Sequence, residues 1–292
     1  MTEPQLRDVQ CLDNRGLHRM AYWQWGDAAN PKVLVCVHGL TRQGRDFDTL
    51  ARALCGEYRV VCPDVVGRGR SGRLADPAGY VIPTYVADMV TLLARLDAQV
   101  VDWVGTSMGG LIGLGLASLD GAPLRRLVLN DVGPVVEPAA LQRIGSYVGQ
   151  SGFWRTLDEA ADASWALSQG FGPHTREQWL ALTAPQLQPA TRDGVEGFTT
   201  RVDPGIAVPF RALTPELARA GEALLWQSYD RLRCRTLLLR GAESDLLSAD
   251  TARAMTQRGP RAQLHEFAGV GHAPTLVHAE QIEVLRHFLL SP

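Results

Sequence analysis

Val100-Val101-Asp102-Trp103-Val104-Gly105-Thr106-Ser107-Met108-Gly109-Gly110 is the stretch on which the reading of this chain turns. An apolar, β-rich run enters Gly-x-Ser-x-Gly, and Leu111-Ile112-Gly113-Leu114-Gly115-Leu116-Ala117 continues as a helix of small and apolar residues. Gly-x-Ser-x-Gly alone is common by chance. Between a strand and a helix it describes a sharp, strained turn that lifts a serine hydroxyl above a sheet, a nucleophile elbow. Gly105 and Gly109 lie where strand and helix must approach closely. The same turn aims the helix N-terminus, with its free N–H groups, at the reacting centre.

A serine hydroxyl attacks only when a base takes its proton. The chain order expected for an elbow is serine, acid, histidine. Of seven histidines, only His272 sits in a glycine-rich turn after a C-terminal strand, in Phe267-Ala268-Gly269-Val270-Gly271-His272-Ala273-Pro274. His38 opens the loop after an earlier strand and reads as a brace. The acid belongs on a loop after a strand between Ser107 and His272. Asp245, closing Arg240-Gly241-Ala242-Glu243-Ser244-Asp245, is the preferred candidate; Asp131, after Leu127-Val128-Leu129-Asn130, is its rival, and Glu243 is a weaker one. Two N–H donors are needed for the oxyanion, and Met108 and Leu40 are expected to supply them.

Outward from the elbow, short apolar runs recur at 32–37, 59–63, 100–104, 124–130, 235–240 and 262–267. Bounded by glycine and polar turns, they suit parallel strands buried on both faces. Helical periodicity fills the gaps at 46–54, 85–96, 250–258 and 279–290, with Val86, Val90, Leu93 and Leu96 as the expected buried face of the second. Strand alternating with helix predicts βαβ units and a parallel sheet. Residues 9–25 alternate and predict an antiparallel hairpin at the sheet edge. From about Val135 to Tyr229 the rhythm breaks into candidate helices at 139–148, 157–170, 176–183 and 215–225. Four of the seven tryptophans fall there, and most are expected to build that segment's own core. The expected division is a core of residues 1–134 and 230–292 with a helical cap at 135–229.

His38-Gly39, Pro63-Asp64-Val65-Val66-Gly67-Arg68-Gly69-Arg70-Ser71-Gly72, the elbow, Gly241 to Asp245 and Gly271-His272 together resemble the α/β-hydrolase superfamily, in its usual motif order. The likeness covers about residues 20–134 and 230–290. It implies an eight-stranded, mostly parallel sheet, a helical cap between strands, and no cofactor. Within the superfamily the chain looks most like bacterial carboxylesterases, including hydroxyalkanoate-oligomer and enol-lactone hydrolases. Ser107 separates it from haloalkane dehalogenases and epoxide hydrolases, which use an aspartate nucleophile. His38-Gly39-Leu40-Thr41-Arg42 lacks the longer His-Gly-Gly-type loop usual in meta-cleavage-product hydrolases and proline iminopeptidases. The expected activity is hydrolysis of a small-molecule carboxylic ester through an acyl-enzyme on Ser107. The alternatives are carbon–carbon or thioester hydrolysis on the same triad, or a ligand receptor that keeps the fold.

Composition narrows the partners. The 292 residues are 46% hydrophobic and 21% charged, enough for a large core. The net charge of −2, with basic residues scattered, lacks the footprint of a nucleic-acid binder. The polar N-terminal stretch does not read as a secretory leader. The most apolar stretch, 109–119, is too short to span a bilayer and holds four glycines. Five cysteines without Cys-x-x-Cys or metal-like spacing read as small buried hydrophobes in a reducing, cytoplasmic compartment. No metal site is expected, and no motif specifies an oligomeric state.

Overall fold

The computed structural model describes residues 3–291. Met1 and Thr2, part of the polar stretch read for a leader, lie outside the described residues. The strands are β1 (Gln5–Asp13), β2 (Gly16–Trp25), β3 (Val33–Val37), β4 (Arg59–Pro63), β5 (Val101–Thr106), β6 (Leu124–Asn130), β7 (Leu187–Arg192), β8 (Val195–Thr200), β9 (Arg235–Gly241) and β10 (Gln263–Phe267). The α-helices are α1 (Asp48–Leu54), α2 (Ile82–Leu96), α3 (Met108–Ala117), α4 (Pro138–Tyr147), α5 (Leu157–Leu167), α6 (Arg176–Thr183), α7 (Ala207–Arg211), α8 (Pro215–Arg231), α9 (Ala249–Gln257) and α10 (Ala279–Leu290).

Eight strands form one sheet in the order β1-β2-β4-β3-β5-β6-β9-β10. β1 and β2 make the expected antiparallel hairpin at one edge, and β2 also runs antiparallel to β4. Every other pairing is parallel. The chain moves from β3 outward to β4, then returns past β3 to β5. That reversal opens a crevice beyond the C-terminal ends of β3 and β5, where open α/β sheets bind ligands. The loops carrying His38 and Ser107 leave from those two strand ends.

Burial on both faces explains why the inner strands read as unbroken apolar runs. Val35 and Val37 pack into one core with α2, α3 and α9, whereas Leu34 and Cys36 pack into the other with α1 and α10. In α2 the buried face is Tyr85, Met89, Leu92, Leu93 and Leu96. The sequence-based face through Val86 and Val90 is rotated from it, and Val90 is exposed. Asp88, on that same buried face, distorts the hydrophobic pattern because it pairs with His18 rather than facing water.

Between β6 and β9 the chain forms α4, α5, α6 and α8 close to the four expected helices, and a short α7 that was not expected. It also forms something the helical reading missed: β7 and β8 pair as an antiparallel hairpin. Asp193-Gly194 joins them with both φ angles positive (52° and 75°), as a two-residue type I′ turn requires. The Asp-Gly signal was present, flanked by alternating residues, but Pro189 and Gly197 weaken the strand pattern. Within this segment Trp179 packs edge-on against Trp165 and Phe171 (ring centroids 5.0 and 6.1 Å), over Ala161 and Leu182. Those three aromatics form a small cluster with Val277 from outside the segment, whereas Trp226 and Phe210 pack against the main core, so the private core is smaller than expected. Among the described residues no helix is long and apolar enough to cross a membrane.

Candidate active site

Ser107 stands at the turn between β5 and α3 with φ 51° and ψ −117°. A non-glycine residue at positive φ is held there only where its surroundings impose it. The surroundings are two crossing backbones. A Cβ on Gly105 would meet the Gly109 carbonyl oxygen at 2.2 Å, and one on Gly109 would meet that of Val37 at 2.0 Å. Glycine at both positions lets α3 sit directly on β5 and β3, and the serine is pushed out above them.

His272 Nε2 lies 3.0 Å from Ser107 Oγ, and His272 Nδ1 lies 2.7 Å from an Asp131 carboxylate oxygen. This corrects the preferred acid. Asp245, expected beside His272, instead pairs with Arg143 of α4 through two hydrogen bonds of 2.7 and 2.9 Å, half-exposed at the surface. Asp131 is fully buried at the end of β6, with its own φ at 55°. The loop after β9 does meet Asp131, but as its holder. Gly241 N–H donates to one Asp131 oxygen at 2.9 Å, and Ser244 Oγ donates to the other at 2.6 Å. The Gly241-to-Asp245 segment thus resembles an acid loop because it wraps one. Glu243, the weaker candidate, contributes its backbone N–H to Val270 O at 2.9 Å.

With Asp131 accepting at Nδ1, the imidazole keeps its proton there and turns a lone pair on Nε2 towards the Ser107 hydroxyl. The Asp131 carboxylate thus meets three partners, Gly241 N–H, Ser244 Oγ and His272 Nδ1. Asn130 fixes the far side of the histidine loop by donating to Pro274 O (2.8 Å) and Thr106 Oγ1 (2.9 Å).

His38 is buried and braces the facing loop, as expected. Val65 N–H donates to its Nε2 at 2.9 Å, so the ring proton resides on Nδ1 and is donated to Gly39 O at 2.7 Å. Holding that carbonyl orients the Gly39–Leu40 peptide and therefore the Leu40 N–H. A Cβ on Gly39 would lie only 3.7 Å from Ser107 Cβ, so this peptide passes beside Ser107. Across from it, Met108 opens α3, where an N–H has no intrahelical acceptor. The two residues expected to donate to an oxyanion therefore flank Ser107.

Burial pushes the His38 imidazole down to about 3, against about 6.5 for a histidine in water. The unfolded chain binds this proton on acidification and the folded chain does not. The His38 contribution to stability is therefore complete above about pH 6.5 and is lost progressively towards pH 3. The difference in Tm between the wild type and His38→Gln, which has no proton to gain, is expected to narrow from pH 8 to pH 5. Thermal unfolding of both proteins at the two pH values measures it.

The segment after α5 reaches the same site, a meeting that no sequence motif announces. Gly271 N–H donates to Gly170 O at 2.6 Å, and His174 Nε2 lies 2.8 Å from Thr275 Oγ1. Both bonds bridge about a hundred positions in the chain, which no local pattern reveals. A cavity of about 40 Å³ between Gly39, Thr106, Phe171, Leu182 and Pro274 marks where this segment meets the crevice. It is room for a few waters at most, and not for an ester.

Residues 34–284 match the model of the alpha/beta hydrolase family. The chain belongs to that family. This alpha/beta hydrolase is 55% identical, over 98% of its length and 97% of the other's, to a 3-hydroxybutyrate-oligomer hydrolase of Cupriavidus necator. It is 28% identical to a pimeloyl-[acyl-carrier protein] methyl ester esterase of Stenotrophomonas maltophilia, over 89% and 94% of the two chains. Among solved structures, an alpha/beta hydrolase from Novosphingobium aromaticivorans superposes with a TM-score of 0.85 at 36% identity, covering 99% of both chains. This alpha/beta hydrolase is a hydrolase of the carboxylic-ester type.

Proposed function

We propose that the protein hydrolyses short esters of hydroxy acids, 3-hydroxybutyrate oligomers foremost, through an acyl-enzyme on Ser107. The observation that carries this reading is the hydrogen-bonded chain Ser107 Oγ–His272 Nε2 and His272 Nδ1–Asp131, at 3.0 and 2.7 Å. His272 takes the Ser107 proton as the oxygen attacks the ester carbonyl, then gives it to the departing alcohol. Asp131 fixes the tautomer and stabilises the imidazolium. Leu40 and Met108 N–H groups receive the charge on the tetrahedral oxygen. Water, deprotonated by His272, then releases the acid and restores the serine.

The substrate class comes from the Cupriavidus necator relative, whose likeness runs the length of both chains. Residues 135–229 act in this reading as a cap that shapes the acyl pocket. The test compares kcat/KM on 3-hydroxybutyrate dimer and trimer with p-nitrophenyl butyrate and an acyl thioester of matched chain length. Oligomers are expected to lead by about tenfold or more, the worth of a few well-placed contacts. Turnover of the nitrophenyl ester with none of the oligomers would overturn the substrate assignment. A faster thioester would move the protein to the thioester class.

A further inference from the structure

The turn between β4 and α2 carries a cation that the reaction above leaves unused. Arg68 is 1% exposed. Its Nε donates to Leu40 O at 2.8 Å, and one terminal nitrogen donates to Val66 O at 2.8 Å and Tyr85 Oη at 3.0 Å. Among the described residues, the other terminal nitrogen has the Met108 thioether, 3.7 Å away, as its sole hydrogen-bond partner. The guanidinium lies against the Tyr80 and Tyr85 rings, 5.6 and 5.2 Å from their centroids. None of the ion pairs among the described residues includes Arg68, so the charge has no carboxylate partner there.

A guanidinium stripped of water and left without a counter-ion is costly, since carbonyls, a hydroxyl and aromatic faces compensate only in part. Such a charge is best tolerated where a negative charge arises during the working cycle. Two of its partners are Leu40 and Met108, the residues whose N–H groups flank Ser107. Its field also reaches His38, where it helps keep the ring neutral.

We infer that Arg68 is a positioning residue for the oxyanion: it holds the Leu40 carbonyl and sets an unpaired positive charge behind both N–H donors. The inference rests on the acyl-enzyme reading. A neutral ester feels this charge little, whereas the anionic tetrahedral intermediate feels it fully, so the effect falls on kcat rather than KM. In the low-dielectric interior a fixed cation needs no reorganisation when the anion forms. A residue that merely tied the turn to the loop would have no such selectivity.

The experiment measures kcat and KM on p-nitrophenyl butyrate, and inhibition by butylboronic acid, for wild type, Arg68→Gln and Arg68→Lys. Boron adds the serine oxygen as a fourth bond and becomes a tetrahedral anion, a mimic of the intermediate. Arg68→Gln keeps an amide donor and loses the charge. It is expected to lose about 10- to 100-fold in kcat and similarly in boronate affinity, with KM within about threefold. Arg68→Lys, charged but without the planar fork, is expected to bind boronate within about fivefold of wild type. A Gln variant with kcat and boronate affinity within threefold of wild type overturns the inference. So does a Lys variant of wild-type Tm whose boronate affinity falls more than tenfold, a result that stands even if Arg68→Gln does not fold. Wild-type protein that neither cleaves the ester nor binds boronate would instead fail the Ser107 reading itself.

Discussion

Asp131→Asn is expected to lower kcat on an ester substrate by about 10⁴-fold, while Asp245→Asn stays within about threefold of wild type. An asparagine at 131 would fill the same space but present an amide N–H or a neutral carbonyl to His272 Nδ1. The first forces the imidazole proton onto Nε2, where it faces Ser107 and blocks proton acceptance. The second leaves the imidazolium without a counter-charge. The Gly241 and Ser244 donors would also lose their charged acceptor at 2.9 and 2.6 Å. Asp245 touches none of this. Its pair with Arg143 is half-exposed, and such pairs contribute about 0–1 kcal/mol to stability. Initial rates of the two single variants at one pH decide the matter. A crippled Asp245→Asn beside a nearly normal Asp131→Asn would return the acid to the loop after β9.

Ser107→Ala is expected to remove ester turnover by about 10³-fold or more, with Tm almost unchanged. Alanine meets the same backbone geometry as serine at φ 51°, so the strain is not increased, and only the hydroxyl is lost. Residual rate would come from the remaining N–H donors and substrate binding. Intact mass after incubation with a phosphonate reports the same atom independently: wild type gains one adduct, and the alanine variant gains none. Near-normal turnover by purified Ser107→Ala would end the acyl-enzyme mechanism.

The fold was legible because its signals are local. A buried parallel strand is an apolar run, and β4, β6 and α10 begin and end at the residues where their patterns do. The elbow was legible for the same reason, since strand, glycines, serine and helix are contiguous. The acid was not. Asp131 and Asp245 both follow apolar strands, and the choice depends on which carboxylate faces the His272 ring, a matter of side-chain direction in the loops leaving two neighbouring strands. The residue that reaches Asp131 from the loop after β9 is Ser244, one position before the aspartate preferred from sequence. Arg68 was quoted within a motif but carried no sign of burial; a charged residue in a glycine-rich turn ordinarily reads as solvated. The β7–β8 hairpin was hidden by its surroundings, a short strand pair within a run of helices.

The bond from Gly271 to Gly170 limits how this enzyme could be rebuilt. Engineers who alter specificity in such scaffolds often transplant the variable segment between strands as a self-contained part. Here that part is stitched by its backbone to the residue beside His272, and His174 adds a second stitch at Thr275. A graft that replaced residues 135–229 wholesale would cut both, so a loss of turnover in the chimera would report a displaced His272 as readily as a mismatched pocket. Retaining residues 169–174 from this chain leaves the stitches in place. If the proposed mechanism holds, substrate choice and proton transfer are mechanically coupled, and selection on one drags on the other.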